Sequence, residues 1–357
     1  MKVAFRTDAS LQIGTGHVIR CLTLADALRE QGVQCRFVCR EHQGHLIDLI
    51  RFRGYEVNNL PKSELSPSFE PDIKHANWLG VDWKIDAAQM CQVLGDIFFD
   101  WVVVDHYALD QRWELAVSKS CKRMMVIDDL ADRMHFCDLL LDQNYEERKR
   151  YFRLVSKKTK SLLGPSYALI HPIYATYRDK KVHKSVIIKN IFIYFGGSDE
   201  KDLTGATVSA LSSPNLKHLM LDIVVGSNYT FFDSLEAAVS ARGNATIHQN
   251  RPHLADLMFA ADIAIGAGGV SNWERMCMGL PSLVVVTADN QNLICEHLNS
   301  KGFIRLLGKS EDVKPNMIGS AVLNEIASPR LFNNVLSGMQ ICDGLGAARV
   351  VQNLLEI

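Results

Sequence analysis

Gly14-Thr15-Gly16-His17 places a tight turn, bare backbone N–H groups and an imidazole within four residues. The stretch follows the apolar run Val3-Ala4-Phe5 and opens an amphipathic segment. That pattern predicts a strand, a glycine turn and the first turn of a helix. A helix N-terminus attracts an anion and disfavours imidazolium, so His17 is suited to act as a neutral general base on water. Asp8, just past the first strand, is the carboxylate expected to hold the imidazole tautomer; capping a turn is its other possible use. Gly14 and Gly16 are expected to lie against the phosphates of an anionic ligand.

A second constellation has the same form. Ile265-Gly266-Ala267-Gly268-Gly269-Val270-Ser271-Asn272-Trp273-Glu274 puts a glycine turn after an apolar run and before a helix. N–H groups at Gly268, Gly269 and Val270, with Ser271 in the same cradle, suit a diphosphate without a bound metal; close helix–sheet packing would require the same glycines. Glu274, on the following helical turn, can accept hydrogen bonds from a pair of ribose hydroxyls. Gly196-Gly197-Ser198-Asp199 is another strand-to-helix turn, so Gly197 and Ser198 are expected to close on the phosphates from the other side.

These turns belong to an alternation of strand-like and helix-like segments, the signature of parallel sheets with helical crossovers. Strands are expected near Val3–Arg6, Val33–Cys39, Tyr55–Leu60, Trp101–Asp105, Met124–Asp128, Leu139–Leu141 and Leu162–Gly164. A second set is expected near Ile191–Phe195, Leu221–Val225, Ala245–His248, Ile263–Ile265 and Ser282–Val286. The prediction is an α/β protein with two Rossmann-like parallel-sheet domains facing a cleft, residues 1–177 and 187–357, joined by a basic linker at 178–186. The last helix, about Gly346–Leu355, can pack back on the first domain. Asn58 to Asn77, with Pro61, Pro67 and Pro71, reads as a long loop near the cleft.

Further segments match one family. Arg6-Thr7-Asp8-Ala9-Ser10, Ile13-Gly14-Thr15-Gly16-His17-Val18 and Arg20-Cys21-Leu22-Thr23-Leu24-Ala25 closely resemble the opening of the UDP-sugar hydrolases of pseudaminic acid biosynthesis. Trp78-Leu79-Gly80-Val81-Asp82, Val104-Asp105-His106-Tyr107, Ile127-Asp128-Asp129-Leu130 and Asp343-Gly344-Leu345-Gly346 extend the resemblance over nearly the full chain. It implies the glycosyltransferase B type architecture and inverting hydrolysis of a UDP-2,4-diacetamido-2,4,6-trideoxy-hexose at the anomeric C–O bond. The segment around Gly268 also resembles the UDP-binding signature of the lipid II-forming N-acetylglucosaminyltransferases, in which the residue matching Glu274 holds the ribose. Asn250, after a strand, is expected to help read uracil. The resemblance carries the sugar to Asn290 and Gln291, although Asp289 beside them could instead cap a helix. Trp78 and Tyr107 are read either as sugar-face contacts or as packing.

Composition bounds the alternatives. A chain of 357 residues with 47% hydrophobic residues suffices for two cores. Lys and Arg total 39 against 40 Asp and Glu, which gives no general electrostatic case for nucleic acid. Nine cysteines without a C-x-x-C pair read as reduced thiols in a cytoplasmic protein, and no apolar run has membrane-spanning length. Asp128-Asp129 reads as a turn and cap, because adjacent side chains point apart. No metal or other cofactor is expected, and no obligate protein partner is readable. A UDP-sugar glycosyltransferase, a hydrolase for a related legionaminic or spore-coat sugar, and a nucleotide-sugar-binding protein without chemistry are the alternative readings.

Overall fold

The computed structural model describes residues 1–62, 73–180, 187–249 and 251–357. The chain divides into two compact units. One comprises Met1–Leu169 with Gly346–Ile357, the other Ile170–Leu345.

The first unit is a seven-stranded sheet of β1 (Lys2–Thr7), β2 (Gln34–Arg40), β3 (Glu56–Leu60), β4 (Phe99–Asp105), β5 (Cys121–Ile127), β6 (Leu139–Asp142) and β7 (Lys160–Leu163). Their order is β3-β2-β1-β4-β5-β6-β7, with every pairing parallel. Helices cover both faces, so Trp101-Val102-Val103-Val104 is buried at every residue. Val3, Phe5, Trp101 and Val103 pack on one face with the helix Gly16–Glu30 and the last helix, Gly346–Glu356. Ala4, Val102 and Val104 pack on the other with Met90 and Trp113. The last helix is also tied to β4, since the Trp101 indole donates to the Leu354 carbonyl at 3.1 Å.

The second unit is a six-stranded parallel sheet of β8 (Asn190–Tyr194), β9 (Met220–Val225), β10 (Ala245–Gln249), β11 (Ile263–Ala267), β12 (Ser282–Val286) and β13 (Arg305–Lys309). Its order is β10-β9-β8-β11-β12-β13. The sixth strand was not expected: Arg-Leu-Leu-Gly-Lys is short, half-exposed and contains Gly308 at φ +135°. Of the expected linker, residues 178–180 complete the helix Ile173–Lys180, and 181–186 lie outside the described residues. The expected loop at 58–77 is corrected at both ends. Asn58–Leu60 completes β3, and Ala76–Leu79 forms a 3-10 turn. Pro67 and Pro71 lie outside the described residues.

Candidate active site

The strand order sets up the first half of the site. β1 lies against β4 with Thr7 opposite Asp105, so the turn leaving β1 meets the carboxyl end of a strand about a hundred residues further along the chain. In such sheets ligands bind outside the carboxyl ends of the strands. Ser10 shapes the turn, accepting the Ile13 N–H on its hydroxyl at 2.8 Å and the Gly14 N–H on its carbonyl at 2.9 Å. Gly14 has φ +79°, a conformation glycine adopts without strain. No atom lies within 4 Å of where a Cβ on Gly14 or Gly16 would be, so both backbones face open space.

His17 is 7% exposed on the first turn of the helix. Its Nδ1 lies 2.6 Å from Asp105 Oδ1. Arg20, one turn further on, donates to both Asp105 oxygens at 2.6 Å and brings Nη2 to 3.2 Å from the same imidazole nitrogen. Burial alone would push the Asp105 carboxyl up; the Arg20 guanidinium and His17 outweigh it and hold the group well below the usual carboxylate range. An ionised Asp105 accepts the Nδ1 proton. That fixes the tautomer and leaves Nε2 as the basic nitrogen. Nε2 makes no hydrogen bond to the described residues.

Asp8, the carboxylate expected in this role, is placed differently. Its Oδ1 takes Arg6 Nη1 at 2.6 Å and the Arg40 N–H at 2.7 Å, while His106 and His42 face Oδ2 at 3.3 and 3.5 Å. Asp8 is the end of a buried framework in which Asp86 receives Arg6, Arg40 and the Trp113 indole. Asp105 and Arg20 are the contacts that the sequence reading missed. Arg20 stands at i+3 from His17 and therefore on its helix face, and Asp105 ends an apolar run at a strand's carboxyl end; both signals are visible in the residues.

Tyr107 is 2% exposed, with its ring edge-on to His17 at 4.5 Å and 81° and its hydroxyl donating to Asp129 at 2.5 Å. Half-buried Trp78 lies 6.4 Å from the His17 ring, and His75 packs on Trp78 at 4.3 Å. Trp78 therefore remains accessible beside the imidazole, whereas Tyr107 forms its wall.

In the second unit the two glycine turns leave adjacent strands, β8 and β11, at their carboxyl ends. Gly196 has φ +103°. Gly226 packs so closely that a Cβ there would meet the Gly197 carbonyl at 2.1 Å. Asp199 accepts the Leu203 and Thr204 N–H groups at 3.0 and 2.8 Å and so anchors the next helix, with Ser198 in the turn between. After β11, a Cβ on Gly268 would meet Cys295 Sγ at 2.3 Å, while Gly269 and Val270 lead into Ser271–Cys277. Arg275 secures this turn from behind by donating to the Ala267 carbonyl at 2.9 Å and the Ser271 hydroxyl at 3.0 Å. Gln291 accepts the Thr287 N–H at 3.0 Å and lies 3.7 Å from the Cβ position of Gly269, which places the Asn290-Gln291 pair beside the glycine turn. Burial pushes the Glu274 carboxyl up to about 7 despite a hydrogen bond from Tyr174. Asn250 lies outside the described residues.

Two parallel-sheet α/β units with these connections define the glycosyltransferase B type fold. The chain superposes on MurG of Acinetobacter baumannii with a TM-score of 0.63 at 14% identity, covering 100% of this chain and 99% of that one. It superposes on the UDP-GlcNAc 2-epimerase of Neisseria meningitidis with a TM-score of 0.60 at 13% identity, covering 100% of both chains.

Sequence relatives are more specific. The chain is 26% identical over 307 residues to the UDP-2,4-diacetamido-2,4,6-trideoxy-beta-L-altropyranose hydrolase of Campylobacter jejuni, covering 85% of this chain and 98% of that protein. It is 22% identical over 360 residues to the spore coat polysaccharide biosynthesis protein SpsG of Bacillus subtilis, covering 100% and 98%. It is 25% identical over 295 residues, 80% of this chain, to the uncharacterized protein MJ1062 of Methanocaldococcus jannaschii, of whose length it spans 55%. No family model matches the sequence.

Proposed function

We propose that this chain is an enzyme that hydrolyses UDP-2,4-diacetamido-2,4,6-trideoxy-beta-L-altropyranose at the anomeric C–O bond, releasing UDP and the free sugar for pseudaminic acid biosynthesis. The observation that carries the proposal is the His17 Nδ1 to Asp105 contact of 2.6 Å, with Nε2 left as the basic nitrogen. A diphosphate is a stable leaving anion that departs without a proton, so one base suffices where ordinary glycosidases use two carboxylates. His17 Nε2 takes a proton from water and the water oxygen bonds to the anomeric carbon. The C–O bond to phosphate breaks with its electron pair going to the diphosphate. Attack opposite the leaving group inverts the centre, and His17 then returns its proton to solvent. Asp105 holds the ring and is itself held ionised by Arg20.

In this proposal the diphosphate is seated on backbone N–H groups of Gly14 and Gly16, of Gly197 and Ser198, and of Gly268, Gly269, Val270 and Ser271. Glu274 takes the ribose hydroxyls, and Asn250 reads uracil. Trp78, Asn290 and Gln291 meet the sugar, with Tyr107 acting through its contact with His17. The similarity to the Campylobacter hydrolase and the matching N-terminal motif support the choice of substrate.

A second reading is transfer of the sugar to an acceptor, to which the glycosyltransferase B type fold is equally suited. Incubating the protein with the UDP-sugar and no acceptor separates the two. Hydrolysis predicts stoichiometric release of UDP and free sugar, abolished in His17→Ala while UDP affinity stays within a few fold. UDP release only on addition of an acceptor would replace the hydrolase reading with the transferase one.

A further inference from the structure

Asp128 and Asp129 are adjacent, yet the folded chain gives them separate surroundings. Asp128 accepts the Ala131 N–H at 2.9 Å and pairs with Arg133 at 2.8 Å, a turn and cap. Asp129 joins the residues around His17. Its Oδ1 accepts the Tyr107 hydroxyl at 2.5 Å; its Oδ2 accepts the Asn144 side-chain amide at 2.7 Å and faces Arg20 Nη1 at 3.6 Å. Its side chain is 9% exposed. Asp129 is not among the partners of His17, but two of its own partners bracket the imidazole: the Tyr107 ring at 4.5 Å and Arg20 Nη2 at 3.2 Å.

We propose that Asp129 is a positioning residue for the activation of water, an inference that rests on the reading of His17 as the base. One carboxylate tethers both groups that restrain the ring. The hydroxyl bond keeps the Tyr107 ring edge-on to the imidazole and so opposes rotation about the His17 Cβ–Cγ bond. The arm of Arg20 that is not spent on Asp105 faces Asp129, which steadies the fork that aligns Asp105 with Nδ1. Without Asp129 both restraints loosen, and Nε2 spends less time aimed at the attacking water. A misaligned base slows the chemical step, while nucleotide affinity, assigned above to the glycine turns and Glu274, is untouched.

The test is a double-mutant cycle of Asp129→Ala and Tyr107→Phe. UDP release from UDP-2,4-diacetamido-2,4,6-trideoxy-beta-L-altropyranose is measured beside UDP affinity by calorimetry and thermal unfolding. Asp129→Ala is expected to lower kcat by roughly 10- to 100-fold, the order of loss that misplacing a reacting group brings, with KM and UDP Kd within about threefold. Tyr107→Phe lowers kcat less, and the double variant is no slower than Asp129→Ala, because the hydroxyl acts through that carboxylate. Asp129→Asn, which keeps an oxygen to accept the Tyr107 proton, recovers part of the loss; it also serves if Asp129→Ala fails to fold. Wild-type kcat in both Asp129 variants, or full additivity in the cycle, would overturn the role of Asp129 alone. Turnover by His17→Ala in the same assay would instead overturn the reading beneath it.

Discussion

At the scale of single residues, the arrangement around His17 assigns separate jobs to neighbouring charges. Asp105 receives the Nδ1 proton and Arg20 keeps Asp105 ionised, so Asp105→Asn should disturb the tautomer without emptying the site. The expected result is a fall in kcat of about 100-fold or more with UDP affinity unchanged by calorimetry. Glu274 gives a prediction independent of turnover. Burial raises its carboxyl from 4.5 to about 7 on folding. As pH rises from 4.5 toward 7 the unfolded chain ionises at this position while the folded chain keeps its proton, so stability falls across that window and levels off above it. Glu274→Gln removes this dependence. Thermal unfolding of the variant should gain on the wild type between pH 5 and pH 7.5; a constant difference would contradict the raised ionisation of this carboxyl.

At the scale of the element, similar glycine turns serve different purposes. A Cβ on Gly16 meets nothing within 4 Å and the residue begins a helix, so Gly16→Ala should leave thermal stability equal or slightly raised while KM for the UDP-sugar increases. Gly268→Ala drives a Cβ to 2.3 Å from buried Cys295 Sγ and should destabilise by about 1–3 kcal/mol, the usual cost of overpacking. Adding Cys295→Ala should restore part of that loss; no recovery would mean that the strain lies in the backbone. The strands that position these turns were readable because runs such as Trp101–Val104 are apolar on both faces, which marks a buried parallel strand. The pairing that completes the site was not. β4 adjoins β1 although β2 and β3 come between them in the chain, and no local pattern states sheet order. Asp8 is next to β1 in sequence, yet its place went to Asp105. Likewise β13 carries little local signal, because Gly308 interrupts a five-residue run that is only half-buried.

Across the whole molecule, two cores form from a chain that leaves the first unit at Leu169 and re-enters it at Gly346. The last helix buries Ala347, Val350, Val351 and Leu354 against the first sheet, and its Leu354 carbonyl accepts the Trp101 indole. Deleting residues 346–357 should therefore remove hydrogen-exchange protection from β1 and β4 while β8 and β11 keep theirs; equal loss in both sheets would show that the units do not unfold separately. Among the described residues no helix is long and apolar enough to cross a membrane.

The central claim is that His17 delivers water to carbon, not to phosphorus. Turnover in water enriched in oxygen-18, followed by mass analysis of the released UDP, tests it most directly. Attack at the anomeric carbon predicts UDP carrying no heavy oxygen, whereas label in its terminal phosphate would show P–O cleavage and contradict the account.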